Sequence, residues 1–236
     1  MLKVSKRTSS QSKFSQYKNA RNRVNNSYFM NNTAGRNGGG INTDNCTAIV
    51  YSCSFDYNNV NSSGGSLSIW FSTSNISNST FHENAAAKDG GVIITWDSMV
   101  VICDSGFGSN TAHIDGGVLY LSYSVLSIES CVFTGNEAID QNGGVIDASE
   151  STIFLTDCTL TSNSAHKSGG VVDASRTTIM LTNCTLTNNS AYQGGGVLEA
   201  SDSILVTDNS TFSNNSALNW NGGVMDVLYT AATVHQ

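Results

Sequence analysis

Apolar and small polar residues recur along the chain at fixed distances rather than in runs. Counting from the first glycine of each Gly-Gly pair, position +3 is Ile41, Leu67, Ile93, Leu119, Ile146, Val172, Leu198 and Met225. A second word, Phe/Leu-x-x-Asn, opens at Phe29, Phe55, Phe81, Phe107, Phe133, Leu160, Leu186 and Phe212. Counting back from it, position −5 is aliphatic from Val50 to Leu181, and position −7 is aliphatic at Val100, Leu126, Ile153, Ile179 and Leu205. Position −2 is Ser or Cys in every copy. Alternation at −7 and −5, then at −2 and 0, predicts two short half-buried strands with a bend between them. The Gly-Gly-x-aliphatic segment predicts a third.

The two words share one period. The glycine pairs begin at Gly38, Gly64, Gly90, Gly116, Gly143, Gly169, Gly195 and Gly222, in steps of 26 or 27 residues. That period is too short for helix-pair repeats such as ankyrin, and the leucine pattern of leucine-rich repeats is missing. Stacked coils put each strand beside its equivalent at about 4.8 Å, so eight coils give a rod about 38 Å long. Identical residues then form ladders. The Asn of the second word is present in all eight copies: Asn32, Asn58, Asn84, Asn110, Asn136, Asn163, Asn189 and Asn215. An inward amide at a turn can bond unpaired backbone groups and its own copies above and below. The expected fold is an all-β, right-handed parallel β-helix of about eight coils with three short strands each. It occupies residues 27–236 as one domain that stops mid-coil, and residues 1–26 form a basic arm or a degenerate first coil.

Composition fits this reading. The 236 residues include 22 Gly and no Pro, and only 12% are charged. Proline is excluded where nearly every strand has a ladder partner on both sides. No apolar run is long enough for a membrane helix, and the abundance of Asn, Ser, Thr and Gly disfavours helical bundles. Eight of the 11 basic residues precede position 37, whereas all 18 acidic residues follow it. A body that acidic repels phosphates, so no nucleic-acid partner is expected. The basic, Ser-rich start has no apolar segment of the secretory type and has some likeness to an organelle transit peptide.

Gly90-Gly91-Val92-Ile93 and Gly143-Gly144-Val145-Ile146, together with Phe133-Thr134-Gly135-Asn136, are the paired tetrapeptides of the chlamydial polymorphic membrane proteins. The chain resembles that repeat region over about residues 27–227. The resemblance implies an autotransporter-passenger-like β-helix acting in adhesion at the cell surface or outside the cell. It also implies a longer precursor, with a signal peptide ahead and a membrane barrel behind, neither of which is legible in these residues. A fragment of a longer protein is therefore expected. Its partners would be a host or cell-surface protein or a glycan, and its uncapped coil could associate end to end.

Several columns could carry chemistry. Asp147, Asp173, Glu199 and Asp226 take position +4 on four consecutive coils. Carboxylates stacked this way can act as an acid/base pair, as adjacent-coil acids do in pectin-active β-helices, share a Ca²⁺ ion, or simply face water. Few cations, no long loops and no histidine beside the row argue against a polysaccharide-active enzyme, which is the runner-up reading. Trp70 and Trp96 share position +6, a platform for sugar or protein or a plain turn-closing stack. Thr159, Thr161, Thr185 and Thr187 place hydroxyls on both sides of the second word, and regular Thr-x-Thr rows resemble ice-binding faces. Cys53, Cys131, Cys158 and Cys184 share the inward −2 position and read as buried thiols; no Cys-x-x-Cys pair suggests zinc. No catalytic residue, metal or cofactor is expected. The reading is a non-enzymatic, adhesin-like surface protein.

Overall fold

The computed structural model describes residues 21–219 and 221–235. Most of the basic stretch at the start, residues 1–20, lies outside the described residues. The Gly64 coil shows the plan: four strands, Leu67–Trp70, Thr73–Ser77, Thr80–His82 and Ala85–Ala86, follow one another around the coil. Each pairs in parallel with its equivalents in the coils before and after, and never with its neighbours in sequence. Four parallel sheets result. The first runs from Ile41–Asp44 to Met225–Leu228 in eight strands, and the second from Arg21–Asn25 to Ala231–Val234 in nine. The third, Tyr28–Met30 to Thr211–Ser213, and the fourth, Thr33–Ala34 to Ser216–Ala217, have eight each.

The sequence predicts three strands per coil; the structure has four. The added strand follows the ladder Asn and is two residues long, too short to show alternation. Its mark is the buried small residue two places after each of the first seven Asn: Ala34, Val60, Ala86, Ala112, Ala138, Ala165 and Ala191. Stacking also begins ahead of position 27, because Arg21–Asn25 pairs in register with Thr47–Tyr51.

Four corners join the strands, and each needs one residue at positive φ. At one corner it is the first glycine of the pair, as at Gly90, φ 61°. There a Cβ would collide with the Ile93 carbonyl, whereas a Cβ on Gly91 would collide with the Gly117 carbonyl of the next coil. The pair is thus doubled for two reasons, a left-handed backbone and a close approach between coils. The other three corners use side-chain-bearing residues, Phe71, Asn78 and Glu83 in the Gly64 coil, with φ of 49°, 49° and 51°. Each costs roughly 1–2 kcal/mol relative to right-handed backbone.

A hydrogen-bonded ladder follows each of these three corners. Asn110 Oδ1 accepts from both the backbone N–H and Nδ2 of Asn84, at 3.0 Å each, and Asn84 Nδ2 also donates to the Phe55 carbonyl at 2.8 Å. At the −2 corner, Ser79 Oγ accepts from the Cys53 N–H and donates to the Ser77 carbonyl. At the corner after the first sheet, Ser98 Oγ accepts from the Ser72 N–H and donates to the Trp96 carbonyl. That third ladder occupies position +8 after the first Gly, which is Cys46, Ser72, Ser98, Ser124, Ser151, Thr177, Ser203 and Thr230. Buried corner backbone is satisfied in this way at every level of the stack, offsetting its conformational cost.

Inside, rings lie over rings. Phe29, Phe55, Phe81, Phe107 and Phe133 form a column with centroids 4.5–4.8 Å apart and planes within 8° of parallel. Leu160 and Leu186 continue it. The 27-residue steps keep this register, because the extra residue falls between the fourth strand and the Gly pair: Ala138 is followed by four residues before Gly143, whereas Ala112 is followed by three before Gly116.

Candidate functional site

Along the outer face of the first sheet, position +4 forms a column whose chemistry changes along the rod. It reads Asn42, Ser68, Ile94, Tyr120, Asp147, Asp173, Glu199 and Asp226, each register-paired with the next. The four acids found in the sequence are therefore neighbours on consecutive coils. They are half-buried rather than freely solvated, because the segment before each Gly pair lies across them. A Cβ on Gly194 would stand 2.5 Å from Glu199 Oε2 and 2.9 Å from Asp226 Oδ2. Asp89 and Asp115, in the same covering position four and three coils earlier, add carboxylates that the sequence reading did not single out. Their mark is position −1 to the Gly pair.

Crowding sets the electrostatics. Burial first, then the charges of Asp173, Asp115 and Asp89, hold Asp147 well above the usual carboxylate range. Burial, then Glu199 and Asp115, pushes Asp173 up to about 7. Burial raises Glu199, Asp89 and Asp115 as well. Asp147 and Asp173 therefore retain protons near neutrality. Among the described residues no cluster of three or more His, Cys, Asp or Glu has the arrangement to hold a metal ion.

The second column is aromatic. Trp70 and Trp96 are register partners at the end of first-sheet strands. Their rings stack with centroids 6.1 Å apart and planes 15° from parallel. Trp70 Nε1 donates to Ser68 Oγ at 2.7 Å, which fixes its ring. Tyr123 packs edge-on to Trp96 at 5.1 Å. Phe71 and Tyr123 stand at the left-handed corner positions and point outward, so the corner exposes rings over three coils.

The hydroxyl rows lie on the outer face of the third sheet: Thr159 pairs with Thr185, and Thr161 with Thr187. Thr187 Oγ1 shares a 3.1 Å hydrogen bond with Ser213 Oγ. The −2 cysteines are buried free thiols inside a hydrogen-bond ladder. Burial pushes the Cys131 thiol up to about 11. The Cys158–Cys184 hydrogen bond holds Cys184 down and pushes Cys158 up.

The family model of the right-handed beta helix region matches residues 66–235. The chain belongs to that family. The right-handed parallel β-helix expected from the repeat is its fold. A second model, the Chlamydia polymorphic membrane protein repeat, matches residues 26–44, which cover the first complete Phe-x-x-Asn and Gly-Gly words. The tetrapeptide resemblance is thus carried by the family comparison as well as by the residues. No curated protein and no solved structure matches the chain. Among the described residues no helix is long and apolar enough to cross a membrane.

Proposed function

We propose that this β-helix is a surface-displayed, adhesive segment that binds its partner through its side columns and does not turn a substrate over. The observation that carries this reading is the division of labour in each coil. Inward positions are committed to ladders and core, whereas the outward columns vary from aromatic to acidic to hydroxyl along an unchanged backbone. The polymorphic membrane protein repeat supports surface display. The test is to treat intact source cells with an impermeant protease and an antibody against the β-helix. Labelling and cleavage without permeabilisation are expected; labelling only after permeabilisation overturns the proposal.

The half-buried, proton-retaining Asp147–Asp173 pair favours a second reading, acid/base chemistry on an acidic or neutral polysaccharide. Polygalacturonate and related glycans assayed with the unmodified protein and with Asp173→Asn plus Glu199→Gln separate the two. No turnover is expected from either, and turnover lost in the double variant replaces the first reading with the second.

A further inference from the structure

The aromatic corner carries charge as well as rings. Asp44 is the register partner of Trp70, Asp97 occupies the left-handed corner between Trp96 and Ser98, and Glu150 accepts from Tyr123 Oη at 3.3 Å. Phe71 is 52% exposed, Met99 49% and Tyr123 49%. Among the described residues, Arg176 reaches Glu150 at 2.9 Å, but no cation faces Asp44 or Asp97. Asp44 and Asp97, exposed carboxylates set among π faces without a counter-charge, form an environment that a guanidinium or ammonium group complements. Tryptophan is the strongest ring for that contact.

Spacing narrows the occupant. Asp44 and Asp97, the two acids with no ion pair, belong to the Gly38 and Gly90 coils, so they lie two coils apart, about 9.6 Å along the rod at about 4.8 Å per coil; Glu150, a further two coils on, is already paired with Arg176. A polyproline II segment rises about 3.1 Å per residue, which returns every third side chain to the same side about 9.3 Å further on. The rings of Trp70, Trp96 and Tyr123 lie along that line, and aromatic surfaces are suited to proline rings. We infer that this corner docks an extended, proline-rich segment of a partner protein with a basic residue at every third position, laid along the rod axis. The acidic body of the chain steers such a segment toward it.

A fluorescent peptide of three Arg-Pro-Pro repeats tests this by anisotropy, beside a peptide of the same composition with its arginines contiguous. The repeat peptide is expected to bind at least tenfold tighter than the contiguous one. Trp96→Ala, which leaves the charge unchanged, is expected to weaken it tenfold or more, and Asp97→Asn several-fold. Asp202→Asn, the same corner position away from the rings, is expected to have little effect. Equal binding of both peptides, or equal loss with Asp97→Asn and Asp202→Asn, reduces the attraction to net charge and overturns the inference. Binding of cellohexaose in place of the peptide also overturns it and makes the corner a glycan platform. Circular dichroism melts confirm that each variant folds; if Trp96→Ala does not, the peptide spacing and the two Asp variants decide alone. Because the inference concerns binding chemistry and not cellular location, it can fail while surface display holds, and the reverse.

Discussion

The coils that open at Gly64, Gly90 and Gly116 and those that open at Gly143, Gly169 and Gly195 share every corner, yet they are finished differently. The first group stacks phenylalanines inside and tryptophans outside, and it admits polar residues to the core. The second has Leu160 and Leu186 in place of the rings until Phe212 restores one, Ile and Leu in the second sheet except for the buried Thr207, and acids on its outer face. The backbone tolerates both because ladder hydrogen bonds, not side-chain shape, fix the register. What differs is where each group stores its strain: in core packing in the first, in charge crowding in the second.

The shared element dominates stability in both groups. Asn110→Ala would strip partners from the Asn84 backbone N–H, Asn84 Nδ2 and the Phe81 carbonyl, all inside the stack. We expect a loss of about 3–5 kcal/mol in denaturant titration, given about 1–3 kcal/mol for each buried group left unpaired. Asn215→Ala, at the less buried end of the ladder, should cost distinctly less, and equal losses would break the ladder account.

Charge crowding comes next. A carboxylate raised in the folded state binds protons more readily there than when unfolded, so stability is highest below the unfolded value near 4 and falls as pH rises toward about 7. Asp147→Asn with Asp173→Asn should flatten that slope and add roughly 1–3 kcal/mol at pH 8, after allowance for partial solvent screening. A melt series from pH 4 to pH 8 with no difference between the two proteins would show that the row is solvated.

The smallest expected effect concerns the first group. Ser74 holds a core place between Ala48 and Val100, its hydroxyl has no hydrogen-bond partner, and a small void adjoins it beside Thr43, Ser68 and Ile69. Ser74→Val should gain about 1 kcal/mol by filling the void and removing the unpaired hydroxyl. The same column in the second group is already filled by Ile153, Ile179 and Leu205.

Period, register and the Asn ladder were legible because they depend on single residues repeated eight times. The fourth strand was not, because Ala85–Ala86 and its equivalents carry one inward residue each and periodicity needs two. The +8 ladder was visible in principle as an unbroken column of Ser, Thr and Cys, but in a chain so rich in those residues it did not stand out. The acid row was legible as a column and illegible as an environment, since nothing in Asp147 or Asp173 tells that the segment before the Gly pair folds over them. The aromatic corner was half visible: Trp70, Trp96 and the neighbouring Tyr123 stood out as rings, whereas Asp44, at the same +6 position, and Asp97 mattered only once the corner was closed around them.

The 27-residue steps mark the one place where the chain has lengthened without disturbing a neighbour. Between the fourth strand and the Gly pair the inter-coil hydrogen bonds shift by one residue at the longer coil, with the Asp140 N–H on the His113 carbonyl and the Lys167 N–H on the Gln141 carbonyl, so the extra residue is absorbed while the coils above and below keep their pairing. New sequence is admitted there as a self-contained addition, and a foreign peptide grafted between Ile139 and Asn142 should be displayed at one height along the rod while the rest of the stack folds as before.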